Sequence, residues 1–163
     1  TLDGLMMGTR PGQLDAGLIL YLITVKGYDS AALADLLYKR SGLAGLSQVS
    51  NDWREVEAAD TPAARDAVAY FIHRIRYELG GLVATLGGLD ALVFTAGIGE
   101  NSPSLRAGVV AGMGWLGLEL DETANAKSAP LISRPGASAR VYVVPTDEER
   151  RIAEHTRKMS FDA

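Results

Sequence analysis

The sequence contains no cysteine, which excludes a disulfide framework and any thiolate zinc site. No apolar run approaches the eighteen or so residues that cross a bilayer, and no basic-then-apolar leader opens the chain. Lys and Arg number 16 against 20 Asp and Glu, they are interleaved with those acids, and the formal net charge is −4. A protein without a free basic cluster is not expected to bind nucleic acid or an anionic membrane. A reducing cytoplasm is the expected compartment. The chain opens on Thr1, and Leu2-Asp3-Gly4-Leu5-Met6-Met7-Gly8 reads as the middle of a folded segment, so a piece of a longer protein is expected.

What is present is apolar material: 47% of the 163 residues are hydrophobic, enough for the core of one globular domain over 1–163. Helical spacing predicts a helix over 13–26 through Leu14, Leu18, Tyr21, Leu22 and Val25, ended by Gly27. A second is expected over 30–40, capped by Asp29 or Ser30, with Leu33, Leu36 and Leu37 inward. Residues 41–52 read as a Gly/Ser-rich connection. Thr61-Pro62 opens a long helix to about Leu86, whose arc Val68, Phe71, Ile72, Ile75, Leu79, Leu82, Val83 and Leu86 faces the core. Gly80 and Gly81 interrupt it away from that arc, either at a kink or where another element crosses closely. Leu89–Thr95 is predicted as a buried strand, 103–112 as a helix, Trp115–Glu119 and Arg140–Val144 as strands about a Pro135-Gly136 turn, and 147–159 as a closing helix. Mixed helices and strands indicate an α/β lobe.

The run Leu92–Pro103 carries the most chemistry. An apolar strand enters a glycine turn, and Ser102 with Pro103 then caps a helix. Side chains that stop at Gly97 and Gly99 let backbone approach a flat or anionic ligand beside a helix N-terminus. The spelling excludes two common sites: no Lys follows for a GxxxxGK[ST] loop, and Ser102 stands at the third glycine of GxGxxG. A tight left-handed connection without a ligand has the same outline.

Three other segments have chemical content. In Gly8-Thr9-Arg10-Pro11-Gly12 a guanidinium fork suited to carboxylate or phosphate sits among turn residues, or simply on a surface loop. Ser50-Asn51-Asp52-Trp53-Arg54 combines a carboxylate, an aromatic plate and a cation suited to ribose, base and phosphate; an Asx-turn opening the next segment is the alternative. In Pro145-Thr146-Asp147-Glu148-Glu149 carboxylates open a helix, where the dipole favours them and where one could hold Mg²⁺. His73 and His155 stand alone on helices and read as solvated.

The stretches GLMMGTRPGQLD (4–15), SNDWRE (50–55), ALVFTAGIGENSPSLR (91–106) and VVPTDEE (143–149) resemble, in this order and spacing, the C-terminal part of acetate kinases and their propionate kinase relatives. The resemblance implies the C-terminal lobe of the actin, Hsp70 and sugar-kinase superfamily, a mixed sheet packed with helices. It implies reversible Mg²⁺-dependent phosphoryl transfer from ATP to acetate, giving acetyl phosphate and ADP, in a homodimer. By the same match Arg10 is the active-site arginine and Glu148 the Mg²⁺-associated glutamate. Gly97, Ile98 and Asn101, with Gly99 between them, form the adenine-side turn, and Asp52, Trp53 and Arg54 are the adenosine-contacting triplet. The family usually has Asp at Gln13, Pro at Ala16 and Asn at Asp147. Its N-terminal lobe and central catalytic segment are absent from these 163 residues, so the chain alone is expected to be inactive; a non-catalytic nucleotide-binding or dimerisation module is the alternative.

Overall fold

The computed structural model describes residues 2–161 and divides into two compact units, Thr1–Gly87 and Gly88–Ala163. In the first, helix α1 (Ala16–Thr24) is capped by Asp15, whose carboxylate accepts from the Gly17 amide. None of its residues is buried, although its sequence is apolar throughout. Helix α2 (Ser30–Lys39) is capped by Asp29 and buries Leu33 and Leu37. The connection expected over 41–52 instead contains helix α3 (Gly42–Ser47). Two glycines hide it from a periodicity reading; docking stabilises it, because Leu43 is buried and the Leu43 and Ala44 amides bond the Met7 and Gly8 carbonyls at 2.9 Å.

Helix α4 (Trp53–Ala58) and helix α5 (Pro62–Leu86) complete this unit. Thr61 caps α5 by accepting from the Ala64 amide at 3.1 Å, and Pro62 takes the first position, where its missing N–H costs nothing. The small residues Ala64 and Ala67 let α4 approach, so that Val56 is buried against them with Ala59 and Val68 alongside. Burying such a valine contributes about 1.5–3 kcal/mol. The expected inward arc holds at Phe71 and Val83 but not at Leu82 and Leu86, which are 59% and 75% exposed. Neither Gly80 nor Gly81 has a neighbour within 4 Å of a built Cβ, and α5 runs through both unbroken, so no element among the described residues crosses there.

In the second unit, strand β1 (Ala91–Phe94) pairs in parallel with strand β2 (Arg140–Val143), in the register Ala91 to Arg140 and Phe94 to Val143. The expected fully buried strand is corrected: burial alternates along β1, with Leu92 and Phe94 inside and Val93 half exposed. Between the strands lie helix α6 (Ala96–Asn101), helix α7 (Pro103–Ala111), a 3-10 turn (Gly114–Leu116) and helix α8 (Glu122–Ala126). The strand expected at Trp115–Glu119 is replaced by that 3-10 turn, closed by Gly117 at φ 79°; only Leu118 becomes extended, bridging Ala139. Ile132 and Val141 bond backbone to backbone at 2.8 Å beside a core of Leu105, Val109, Val110 and Met113. Helix α9 (Glu148–Phe161) closes the described chain. No described helix is long and apolar enough to cross a membrane.

Candidate functional site

Parallel strands end together, and both chains here leave the sheet at one edge: the Val144 amide bonds the Phe94 carbonyl at 2.9 Å, after which β1 turns into α6 and β2 into the loop 145–147. The carboxyl ends of parallel strands are where α/β sheets place ligands. An open cavity of about 430 Å³ lies there, lined by Ala96, Gly97, Glu100, Thr146, Asp147, Glu148 and Glu149. The glycine turn is thus a turn and a half of helix. Its left-handed residue is Ala96, at φ 58°, and neither Gly97 nor Gly99 has a positive φ. A Cβ on Gly97 would meet nothing within 4 Å, whereas one on Gly99 would lie 3.4 Å from the Phe94 backbone. Gly97 therefore leaves open space at the cavity, and Gly99 serves packing. Asn101 spends its side-chain amide within the helix, donating to the Gly97 carbonyl at 2.9 Å.

The carbonyl end of α6 is held by a residue the motif reading passed over. Arg106 is fully buried and donates to the Gly99 and Glu100 carbonyls at 2.8 and 2.9 Å. It also donates to the Asn125 side-chain oxygen and carbonyl, both at 2.8 Å, and to Ser128 Oγ at 3.0 Å. Those acceptors are all neutral, and burial lowers the guanidinium below the usual arginine range. A cation at a helix C-terminus is favoured by the dipole, and α6 supplies that end. A signal existed in the sequence: Arg106, Val109, Val110 and Met113 fall on one helical arc, so an arginine stands on the inward face.

The acidic loop has the donors for a hard cation. Glu148, Asp147 and Glu149 line the cavity, yet no three described His, Cys, Asp or Glu side chains are grouped to cage a metal. That set suits Mg²⁺, which is usually held by one or two carboxylates together with substrate phosphates and water.

In the first unit the Arg10 turn is fixed through its backbone. The Met7 amide bonds the Arg10 carbonyl and the Ser41 amide bonds the Thr9 carbonyl, each at 3.0 Å. Gly42, at φ 66°, packs so closely that a Cβ would lie 2.7 Å from the Arg10 nitrogen and 2.8 Å from its oxygen. The Arg10 guanidinium stands 5.3 Å over the Tyr38 ring, within cation–π range. Gln13, where the resembling family has Asp, accepts from Arg74 at 2.9 Å. The Arg10 turn and the Asp52 triplet are neighbours, since a Cβ on Gly8 would touch the Asn51 carbonyl at 2.9 Å.

Within the triplet, Asp52 caps α4 by accepting from the Arg54 amide at 2.9 Å, and its other oxygen receives the Arg54 guanidinium at 2.6 Å. Trp53 is 4% exposed, with its ring 5.2 Å from Phe71 and its Nε1 unpartnered among the described residues. Its indole therefore packs in the core of this unit. The Arg54 hydrogen bonds hold Asp52 down to a pKa of about 2 from the ordinary 3.8. A depressed carboxylate contributes its stabilisation fully above the ordinary value and loses it as pH falls through the folded one. The Asp52 carboxyl carbon followed by NMR is expected to titrate near pH 2; a midpoint near 4 contradicts the pairing.

A model described as the Acetokinase family matches residues 1–154. The chain belongs to that family. It is 57% identical over 155 residues to an acetate kinase of Methylocella silvestris, covering 95% of this chain and 38% of that protein. Among solved structures, Porphyromonas gingivalis acetate kinase superimposes with a TM-score of 0.89 at 39% identity, over 96% of this chain and 41% of that one. A propionate kinase from Francisella tularensis gives 0.87 at 35% identity, over 94% of this chain and 40% of that one. This acetokinase chain therefore spans about two fifths of the length of the relatives it matches. Its helix-rich α/β architecture with a small parallel sheet is that of a lobe of the actin, Hsp70 and sugar-kinase fold, as the motifs implied.

Proposed function

We propose that this chain supplies the nucleotide-side lobe of a short-chain carboxylate kinase, which transfers the γ-phosphoryl of ATP reversibly to acetate or propionate. The observation that carries this reading is the cavity at the carboxyl ends of β1 and β2, which both Gly97 and Glu148 line. Gly97, Ile98, Gly99 and Asn101 form the turn beside the adenine. By the family match Asp52, Trp53 and Arg54 are the adenosine-contacting triplet. Glu148 would hold Mg²⁺, which would supply charge neutralisation to the transferring group. The family match makes Arg10 the active-site arginine: in-line phosphoryl transfer asks for positioning and charge stabilisation rather than covalent chemistry, and a planar cation gives both.

One lobe of a two-lobed clasp cannot close around phosphate and acceptor, so the isolated chain is expected to be inactive. The partners of this reading are ATP or ADP and acetate or acetyl phosphate, in the cytoplasm. A second copy of the chain is also expected, and the apolar α1, with Leu20 62% and Ile23 46% exposed, supports it. Light scattering should then give a dimer's mass.

The activity is tested by replacing the matching segment of the Methylocella silvestris acetate kinase with these residues and assaying acetyl hydroxamate formation from acetate and ATP. The chimera is expected to turn over while the chain alone does not. A folded but inactive chimera would favour the reading as a non-catalytic module.

A further inference from the structure

Ala96 and Glu100 are four residues apart on α6 and so share one face. Both reach the same residue. The Ala96 amide donates to Thr146 Oγ1 at 2.9 Å, and Glu100 Oε1 accepts from the Thr146 amide at 2.8 Å. Thr95 Oγ1 adds a hydroxyl pair with Thr146 Oγ1 at 2.6 Å. These bonds continue the parallel pairing of β1 and β2 past the sheet edge, and they bind the segment carrying Gly97 to the segment carrying Glu148. They also hold Ala96 in the left-handed conformation that a residue with a Cβ rarely adopts.

We propose that Glu100 and Thr146 are positioning residues, a strap that fixes the nucleotide turn and the acidic loop in one geometry and so couples nucleotide affinity to Mg²⁺. The inference rests on the nucleotide reading given above. Glu100 is committed to a backbone amide, which sets it apart from Glu148 although both line one cavity. Without the strap each half would keep its own contacts with the ligand, but Gly97 and Glu148 would no longer be held at a fixed separation.

The test measures ADP binding to the whole chain by calorimetry, with and without Mg²⁺, for wild type, Glu100→Ala, Glu100→Gln and Thr146→Val. A lost hydrogen bond of this kind is worth about threefold to tenfold. The wild-type enhancement by Mg²⁺ is expected to fall by about that factor in Glu100→Ala and Thr146→Val. Glu100→Gln, whose amide oxygen still accepts, should retain it, and ADP affinity without Mg²⁺ should change less than the enhancement does. Amide exchange in the ligand-free chain reads the strap independently: Thr146 should exchange faster in Glu100→Ala, and Ala96 in Thr146→Val. An unchanged Mg²⁺ enhancement or unchanged exchange in both variants overturns the strap. Failure of the wild type to bind ADP while exchange responds as expected overturns the nucleotide reading, and the coupling with it.

Discussion

Arg106→Met is expected to lower the stability of the chain to urea by about 3 kcal/mol or more, a size typical of breaking a buried hydrogen-bond network. Five hydrogen bonds end on this guanidinium, and they join three places: the carbonyl end of α6, the Asn125 turn of α8 and Ser128. Methionine fills a similar volume but leaves those acceptors unpaired, each at a cost of about 1–3 kcal/mol where water cannot reach it. Part of the loss is offset because no charge remains to be desolvated. Arg106→Lys separates charge from geometry, since an ammonium keeps the cation but has three donors instead of a planar fork. The lysine variant should recover less than half of the loss. If Arg106→Met unfolds within 0.5 kcal/mol of wild type, the buried guanidinium does not organise this unit.

Arg10→Ala in the active chimera is expected to reduce kcat by about 10³-fold or more while leaving KM for ATP within a few-fold, the scale on which an arginine stabilises phosphoryl transfer. The backbone holds the Arg10 turn without the side chain. The turn is fixed by the Met7, Thr9 and Ser41 hydrogen bonds and by the close approach of Gly42, none of which uses the Arg10 side chain. The side chain contributes its stack on Tyr38, a partly exposed contact worth about 0.5–1 kcal/mol. Stability should therefore barely move while turnover collapses. Near-normal turnover would remove Arg10 from the reacting centre.

Capped helices were legible because their signals are local. Asp29, Thr61 and Ser102 each accept an amide at the start of the expected helix, and Pro62 and Pro103 stand where the missing N–H is harmless. Helix α3 was not legible, because Gly42 and Gly45 lower its intrinsic propensity and contacts with Met7 and Gly8, some 35 residues away, supply what is missing. The strand expected at Trp115 failed for a related reason: apolar character alone does not separate a strand from a 3-10 turn, and Gly117 at a positive φ ended the extension before it began.

At the site, residue types were legible and connections were not. The glycine spelling does not separate the two positions: a Cβ on Gly97 would meet nothing within 4 Å, whereas one on Gly99 would lie 3.4 Å from the Phe94 backbone. Asp52 also caps α4 and Trp53 lies in the core, roles set by folding contacts that the motif does not spell. Glu100 and Thr146 stand 46 residues apart, and their meeting follows from the register of β1 with β2, which no local pattern encodes.

The central claim, that the α6 turn and the acidic loop together receive a magnesium nucleotide, is tested most directly by titrating the ¹⁵N-labelled chain with ADP and Mg²⁺. Saturable shifts are expected at the Gly97, Ile98 and Thr146 amides, with Glu148→Gln abolishing the response to Mg²⁺ but retaining much of the response to ADP. Spectra of the folded chain that stay unchanged at those amides at millimolar ADP and Mg²⁺ would contradict it.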